Sequence, residues 1–117
     1  MLFLAFLILA WSAVDGAYKE SYYNQKWCRA QPDFVTVEKV IQGGRVDCVL
    51  SRYAVETERA YKWKEGIAQA RWYAYKLRKI PAILLIVQDE SDLKYERYIE
   101  EYAHKHGFFI RVFIIWE

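Results

Sequence analysis

Cysteine, histidine, proline, glycine and methionine are all scarce in this chain, at two, two, two, five and one residues respectively. The two cysteines, Cys28 and Cys48, form no C-x-x-C motif, and neither histidine stands at zinc-ligand spacing from them. Structural zinc and thioredoxin-type redox chemistry are excluded on that ground. His104 and His106 fall at the end of a helical pattern, where imidazoles meet terminal carbonyls. No internal repeat or low-complexity segment is present, and 117 residues suit one domain with a modest core. The longest apolar run, Met1 to Ala13, falls short of the roughly 20 residues a membrane span needs. A formal net charge of only +2 permits a polyanionic partner without demanding one.

What is present starts with that apolar run, whose length suits the core of a signal peptide. Val14-Asp15-Gly16 offers small residues at the minus-three and minus-one places for cleavage after Gly16, with Ala17 the next candidate. No positive residue precedes the run, which leaves an uncleaved anchor or a buried helix as the alternative. We expect residues 1–17 to be a signal peptide and residues 18–117 one exported domain, periplasmic or secreted. Such a domain keeps no stable membrane association once the leader is cleaved. Losing the leader removes Asp15 and makes the net charge one unit more positive. In an oxidising compartment Cys28 and Cys48 are expected to pair, closing a loop of about twenty residues worth roughly 3 kcal/mol. That is sizeable against a whole-domain stability of roughly 5–15 kcal/mol. The alternative is two buried thiols, because Cys48 alternates with Val46 and Leu50 on an expected core face.

Most residues able to do chemistry lie between Gly43 and Tyr75. Arg45 to Leu50 and Tyr53 to Glu58 read as strands separated by Ser51-Arg52, the size of a tight hairpin loop. Counting back from that loop puts Asp47 directly opposite Glu56, with Cβ atoms roughly 5 Å apart. Two carboxylates at that distance suit a shared divalent cation. Two like charges facing each other destabilise a strand pair unless something positive lies between, and Arg45, opposite Glu58, could supply part of it. From Ala60 to Leu77, Trp63, Ile67, Ala70, Ala74 and Leu77 recur at helical spacing. Another face carries Lys62, Glu65, Gln69 and Tyr73. Lys62, four residues past Glu58, is placed to project over the carboxylates, with Gln69 two turns further on.

The runs G-G-R-V-D-C-V-L, Y-A-V-E-T-E and K-W-K-E-G-I-A-Q-A-R-W-Y-A resemble the core of the PD-(D/E)XK nuclease superfamily. The likeness is closest to small exported members with an R-V-D-C strand, an A-(I/V)-E strand and a K-W-x-E-x-x-x-Q helix, and more distant to the Holliday-junction-resolvase-like branch. It runs from about Glu20 to the C-terminus. The resemblance implies the restriction-endonuclease-like fold and magnesium (or manganese) held by Asp47 and Glu56, with Glu20 from the first helix completing the set. Glu58 and Glu38 are secondary candidates. In the superfamily the lysine normally stands two residues after the glutamate, where this chain has Glu58; in some members it moves to the next helix, where Lys62 would be the migrant. Catalysis then falls to Asp47, Glu56, Lys62 and Gln69. The partner implied is nucleic acid, DNA ahead of RNA, with no organic cofactor, and Arg52, Arg59, Lys64 and Arg71 are candidate backbone contacts.

The rest of the chain fits an α/β domain. Tyr18 to Arg29 reads as a helix broken by Pro32-Asp33, and Phe34 to Ile41 as a strand returning through Gly43-Gly44. That turn puts Glu38 opposite Val49, on the face of Asp47. Ile80 to Val87 is a continuous apolar run opened by a proline, as in a strand covered on both faces and paired in parallel. Ser91 caps a helix from Asp92 to about His106, Gly107 ends it, and Phe108 to Trp116 is the last strand. The order is helix, three-stranded antiparallel meander, helix, strand, helix, strand, with a mixed central sheet flanked by helices. Two other functions fit the same residues. One is a catalytically degenerate member of that fold, exported as a binding or structural module. The other is an envelope protein that binds a protein or glycan through exposed tyrosines and tryptophans.

Overall fold

The computed structural model describes residues 18–117, and the signal-peptide expectation lies outside them. Helix α1 (Glu20–Arg29) leads into strands β1 (Phe34–Ile41), β2 (Gly44–Leu50) and β3 (Tyr53–Arg59). A 3-10 turn (Ala60–Lys62) precedes α2 (Trp63–Leu77), β4 (Ile80–Val87), a second 3-10 turn (Glu90–Leu93), α3 (Lys94–Lys105) and β5 (Arg111–Trp116). The five strands form one mixed sheet in chain order, antiparallel from β1 to β3 and parallel from β3 to β5. Every strand and helix expected from periodicity is present, and several of their boundaries move. The first helix starts at Glu20 rather than Tyr18, and the second spends its first three residues in a tighter turn. Asp89, not Ser91, caps the segment before α3 by accepting from the Ser91 N–H, so the α-helix proper begins at Lys94. The last strand begins at Arg111 because Phe108 to Ile110 still climb out of the helix end at Gly107.

β4 divides the core. Ile83, Leu85 and Val87 pack with Ile67 and Ala70 of α2 and Ile99 and Ala103 of α3. Ala82 and Leu84 point the other way, into a cluster with Cys28, Cys48, Leu50 and Val55 beneath α1. Helices thus cover both faces of the sheet, which is what the unbroken apolar run of β4 requires. Pro81 is the second residue of that strand, close to the end where the loss of a donor is tolerated. Cys28 and Cys48 form a disulfide with Cα atoms 5.9 Å apart, and it ties α1 to β2 inside that second cluster. A buried disulfide suits a non-cytoplasmic environment. Among the described residues no helix is long and apolar enough to cross a membrane.

The hairpin between β1 and β2 turns on Gln42-Gly43, with Ile41 paired to Gly44, one residue earlier than expected. Gly43 sits at φ +95°, which only glycine adopts without strain, and a Cβ on Gly44 would overlap the Tyr73 phenol. The earlier turn shifts the register by two residues. Val37 faces Cys48 and Lys39 faces Val46, so Glu38 stands opposite Asp47 rather than Val49.

Candidate functional site

The loop Ser51-Arg52 sets the β2–β3 register, and Cys48 pairs with Val55 and Val49 with Ala54 as counted from the sequence. One step further, where Asp47 faces Glu56, the ladder stops. The break begins in the local backbone. Cys48 and Leu50 pack on the α1 side of the sheet, whereas Val46 joins Val49 and Ala54 against Tyr73 of α2, so alternation fails at Asp47. Across the rung, Glu38 of β1 sits at φ +52°, a left-handed conformation unusual for a side chain with a Cβ. Irregular rungs of this kind re-aim side chains and end pairing.

Side chains fill the opening. The Thr57 N–H donates to Asp47 Oδ2 at 2.9 Å, and the Asp47 N–H donates to Glu56 Oε1 at 3.3 Å. Asn24, on α1, donates to the Asp47 carbonyl at 2.8 Å and accepts from the Thr57 hydroxyl at 2.7 Å. Asn24 and Thr57 are each only 3% exposed, and no sequence motif marks either as a site residue. The available signals were the four-residue step from Glu20 to Asn24, which puts both on one helix face, and the polar Thr57 between two buried glutamates. Glu20 accepts from the Arg59 N–H at 3.2 Å and shares a hydrogen bond with the Glu58 carboxyl. Gly66 of α2 lies over Glu58, where a Cβ would stand 3.3 Å from its Cγ, so the glycine lets the helix approach.

Four carboxyl groups therefore gather where α1, β2, β3 and the start of α2 converge. They stand as two hydrogen-bonded pairs, Asp47 with Glu56 and Glu20 with Glu58. Burial, then the neighbouring Asp47 charge, pushes the Glu56 carboxyl up to about 9. Burial, then Glu20, pushes Glu58 up to about 8. Asp47 is also raised, chiefly by burial, although its bonds from Thr57 and Glu56 pull it back. Glu56 and Glu58 thus hold protons at neutral pH and donate within their pairs. A cleft of about 180 Å3 opens onto Glu20, Asn24, Glu38, Arg45, Asp47 and Thr57. Glu56 and Glu58 do not line it and are 4% and 7% exposed.

Several expected partners stand elsewhere. Arg45 meets Glu38 at 3.6 Å instead of Glu58, because the shifted register brings Glu38 to the cleft, and its charge reaches Asp47 only through space. Glu38 also accepts from Gln25 of α1 at 2.9 Å. Lys62 ends the 3-10 turn with its amine exposed, and its charge is felt by Glu58 rather than by the Asp47–Glu56 pair. Gln69 is exposed and makes no hydrogen bond among the described residues; seven residues of helix, roughly 10 Å, separate it from Lys62. Arg59 is engaged by Glu117 at 2.9 Å, which removes it from the free backbone contacts.

The oxygen donors lining the cleft are the carboxylates of Glu20, Glu38 and Asp47, the Asn24 amide and the Ser21 and Thr57 hydroxyls, a hard set of the kind that magnesium and manganese take. Among the described residues no three His, Cys, Asp or Glu side chains are close enough together to hold a metal ion, so the acids form pairs rather than a cage. No family model matches the chain, and no curated protein or solved structure matches it either.

Proposed function

We propose that this protein is a divalent-metal-dependent phosphodiester hydrolase of the PD-(D/E)XK type, with the restriction-endonuclease-like fold, acting on nucleic acid outside the cytoplasm. The observation that carries the reading is the pairing of Asp47 with Glu56 across the opened strands, with Glu20 and Glu58 beside them. Each pair now shares protons that a hard cation would displace, and such displacement makes metal binding stronger as pH rises. Bound magnesium or manganese supplies Lewis acidity at the phosphoryl group and a lowered pKa for attacking water. Asp47 and Glu56 would hold it as a pair with water filling its other positions, and Glu20, which faces the cleft without closing a three-carboxylate cage with them, would join through water.

The chain's own residues fix these donors before any ligand arrives. Thr57 and Asn24 hold the Asp47 side chain and carbonyl, so the carboxylate cannot swing with the strand edge. Lys62, exposed beside Glu58, is the cation available to meet charge on a phosphate oxygen. Glu58 occupies the usual lysine position, two residues after Glu56, and that favours a second reading, an exported binding module that keeps the fold without the chemistry.

A manganese titration followed by plasmid nicking on the oxidised protein separates the two. Nicking in magnesium or manganese that falls at least a hundredfold in Asp47→Ala and in Glu56→Ala supports the hydrolase. A wild-type protein that neither binds manganese nor nicks DNA defeats it and leaves the binding module.

A further inference from the structure

Trp63, Lys64, Ile67, Ala68 and Arg71 along one face of α2, with Tyr102 of α3, line a groove of about 430 Å3. A second hollow of about 290 Å3 shares Trp63 and Tyr102 and adds Tyr98, Glu101 and Lys105. The aromatic rings form a connected set. Trp63 meets Tyr102 nearly edge-on at 6.3 Å between centroids and lies 6.2 Å from Tyr98. Tyr98 and Tyr102 remain 39% and 43% exposed, so these rings are only partly used by the core.

Cations surround them. Arg71 lies 3.8 Å over the Phe108 ring, which fixes its guanidinium at the groove wall, and the Lys64 amine lies 5.7 Å over Trp63. Among the described residues none of Lys64, Arg71 and Lys105 is in an ion pair, and Glu101 is the one acid lining either hollow. Trp63 directly follows Lys62, and Gly66, one turn later, packs on Glu58. The groove therefore begins where the carboxyl site ends.

We propose that this groove is a stacking site for single-stranded nucleic acid, with bases against Trp63 and Tyr102 and phosphates at Lys64, Arg71 and Lys105. Rings with polar edges and unpaired cations between them match a strand whose bases are unstacked and whose backbone is anionic. A duplex hides its base faces and offers phosphates alone, so it can use the cations but not the rings. An apolar peptide would use the rings but would cover three unpaired cations. The assignment deepens the nuclease reading by naming the substrate class, and it rests on that reading for its relevance to cleavage.

The test is fluorescence anisotropy of a labelled oligothymidine of about twelve nucleotides, within the range single-strand sites cover, titrated with the oxidised protein in EDTA. Binding should exceed that of a duplex of equal length, and Tyr102→Ser should weaken it about tenfold, within the range for loss of one base–aromatic stack. Because Tyr102 also touches Phe108, Lys64→Glu with Lys105→Glu is the second variant. It should lower the slope of log affinity against log salt by about 1.4, two phosphates' worth on a single strand. Equal binding of duplex, an unchanged affinity in both variants, or quenching of Trp63 by an oligosaccharide but not by oligothymidine would overturn the proposal. Without metal the assay is independent of cleavage. Asp47→Ala should therefore keep oligothymidine affinity while losing nicking, and a protein that nicks but does not bind the oligomer fails only the groove.

Discussion

β3 and β4 lie side by side in the sheet, paired in parallel from Tyr53–Ile80 to Arg59–Ile86, and are buried to the same depth for opposite purposes. Opposite Ile83, Leu84 and Leu85 stand Glu56, Thr57 and Glu58. The apolar triplet holds the two faces of the core together. The polar triplet takes up core positions with groups that need partners, and it finds all of them. Among the described residues no buried side-chain nitrogen or oxygen lacks a hydrogen bond. A buried polar group that is satisfied costs little, but one that is ionised without a counter-charge costs much. The chain meets that constraint by protonation, since Glu56 and Glu58 keep their protons well above the ordinary value of 4.5. Stability resides in one strand and chemical potential in its neighbour.

The largest effect should come from the apolar strand. Leu84 is fully buried against Cys48 and Val55, and Leu84→Ala should cost about 2–5 kcal/mol through lost burial and a residual cavity, read from urea unfolding. A cost below about 1 kcal/mol would break the division of labour, because β4 would then not be the strand that stabilises the sheet. Nearly as large is the disulfide. Cys28→Ser with Cys48→Ser removes a crosslink spanning 20 residues and should cost about 3 kcal/mol on the chain-entropy account, read the same way.

Much of this was legible from residue pattern alone. The continuous apolar run announced a two-faced strand, and the two-residue loop Ser51-Arg52 fixed the rung that brings Asp47 to Glu56. The cysteines could be paired because only two exist. What the pattern did not carry was the one-residue position of the turn at Gln42-Gly43, because Gly43-Gly44 offers two adjacent places to turn. That ambiguity moved Glu38 to Asp47 and took Arg45 away from Glu58. Nor could alternation reveal its own failure at Asp47, which depends on Tyr73 claiming Val46 from another element. Asn24 and Thr57 are not legible in the pattern for a related reason: a buried amide or hydroxyl matters through a partner distant in the chain.

The polar strand should show itself in pH dependence. Both glutamates bind protons more tightly in the native state than an unfolded glutamate does, so the native state is the more protonated from about pH 4.5 up to about 8 for Glu58 and about 9 for Glu56. The stability this confers is whole below that window and is lost as pH rises through it. Thermal midpoints in EDTA should therefore fall steadily from pH 5 to pH 9, and Glu56→Gln, which cannot ionise, should flatten the fall. Manganese added at pH 9 should restore part of the loss in the wild type and less in Glu56→Gln. A flat wild-type profile would mean that the carboxyls ionise freely, and the contrast between the strands would shrink to composition.

The smallest effect marks how far the polar region extends. Gln69 is exposed on α2, makes no hydrogen bond among the described residues and lies about two turns from Lys62. If the site ends where the buried glutamates of β3 end, Gln69→Ala should change stability by less than about 0.5 kcal/mol and leave plasmid nicking within about twofold. Lys62→Ala, whose amine is felt by Glu58, should slow nicking more, about tenfold or beyond, with the unfolding midpoint in EDTA little changed. A Gln69→Ala protein as slow as Lys62→Ala would show that the substrate draws this helix face into the reaction. The functional region would then be set by what the phosphate chain can reach rather than by which side chains β3 buries.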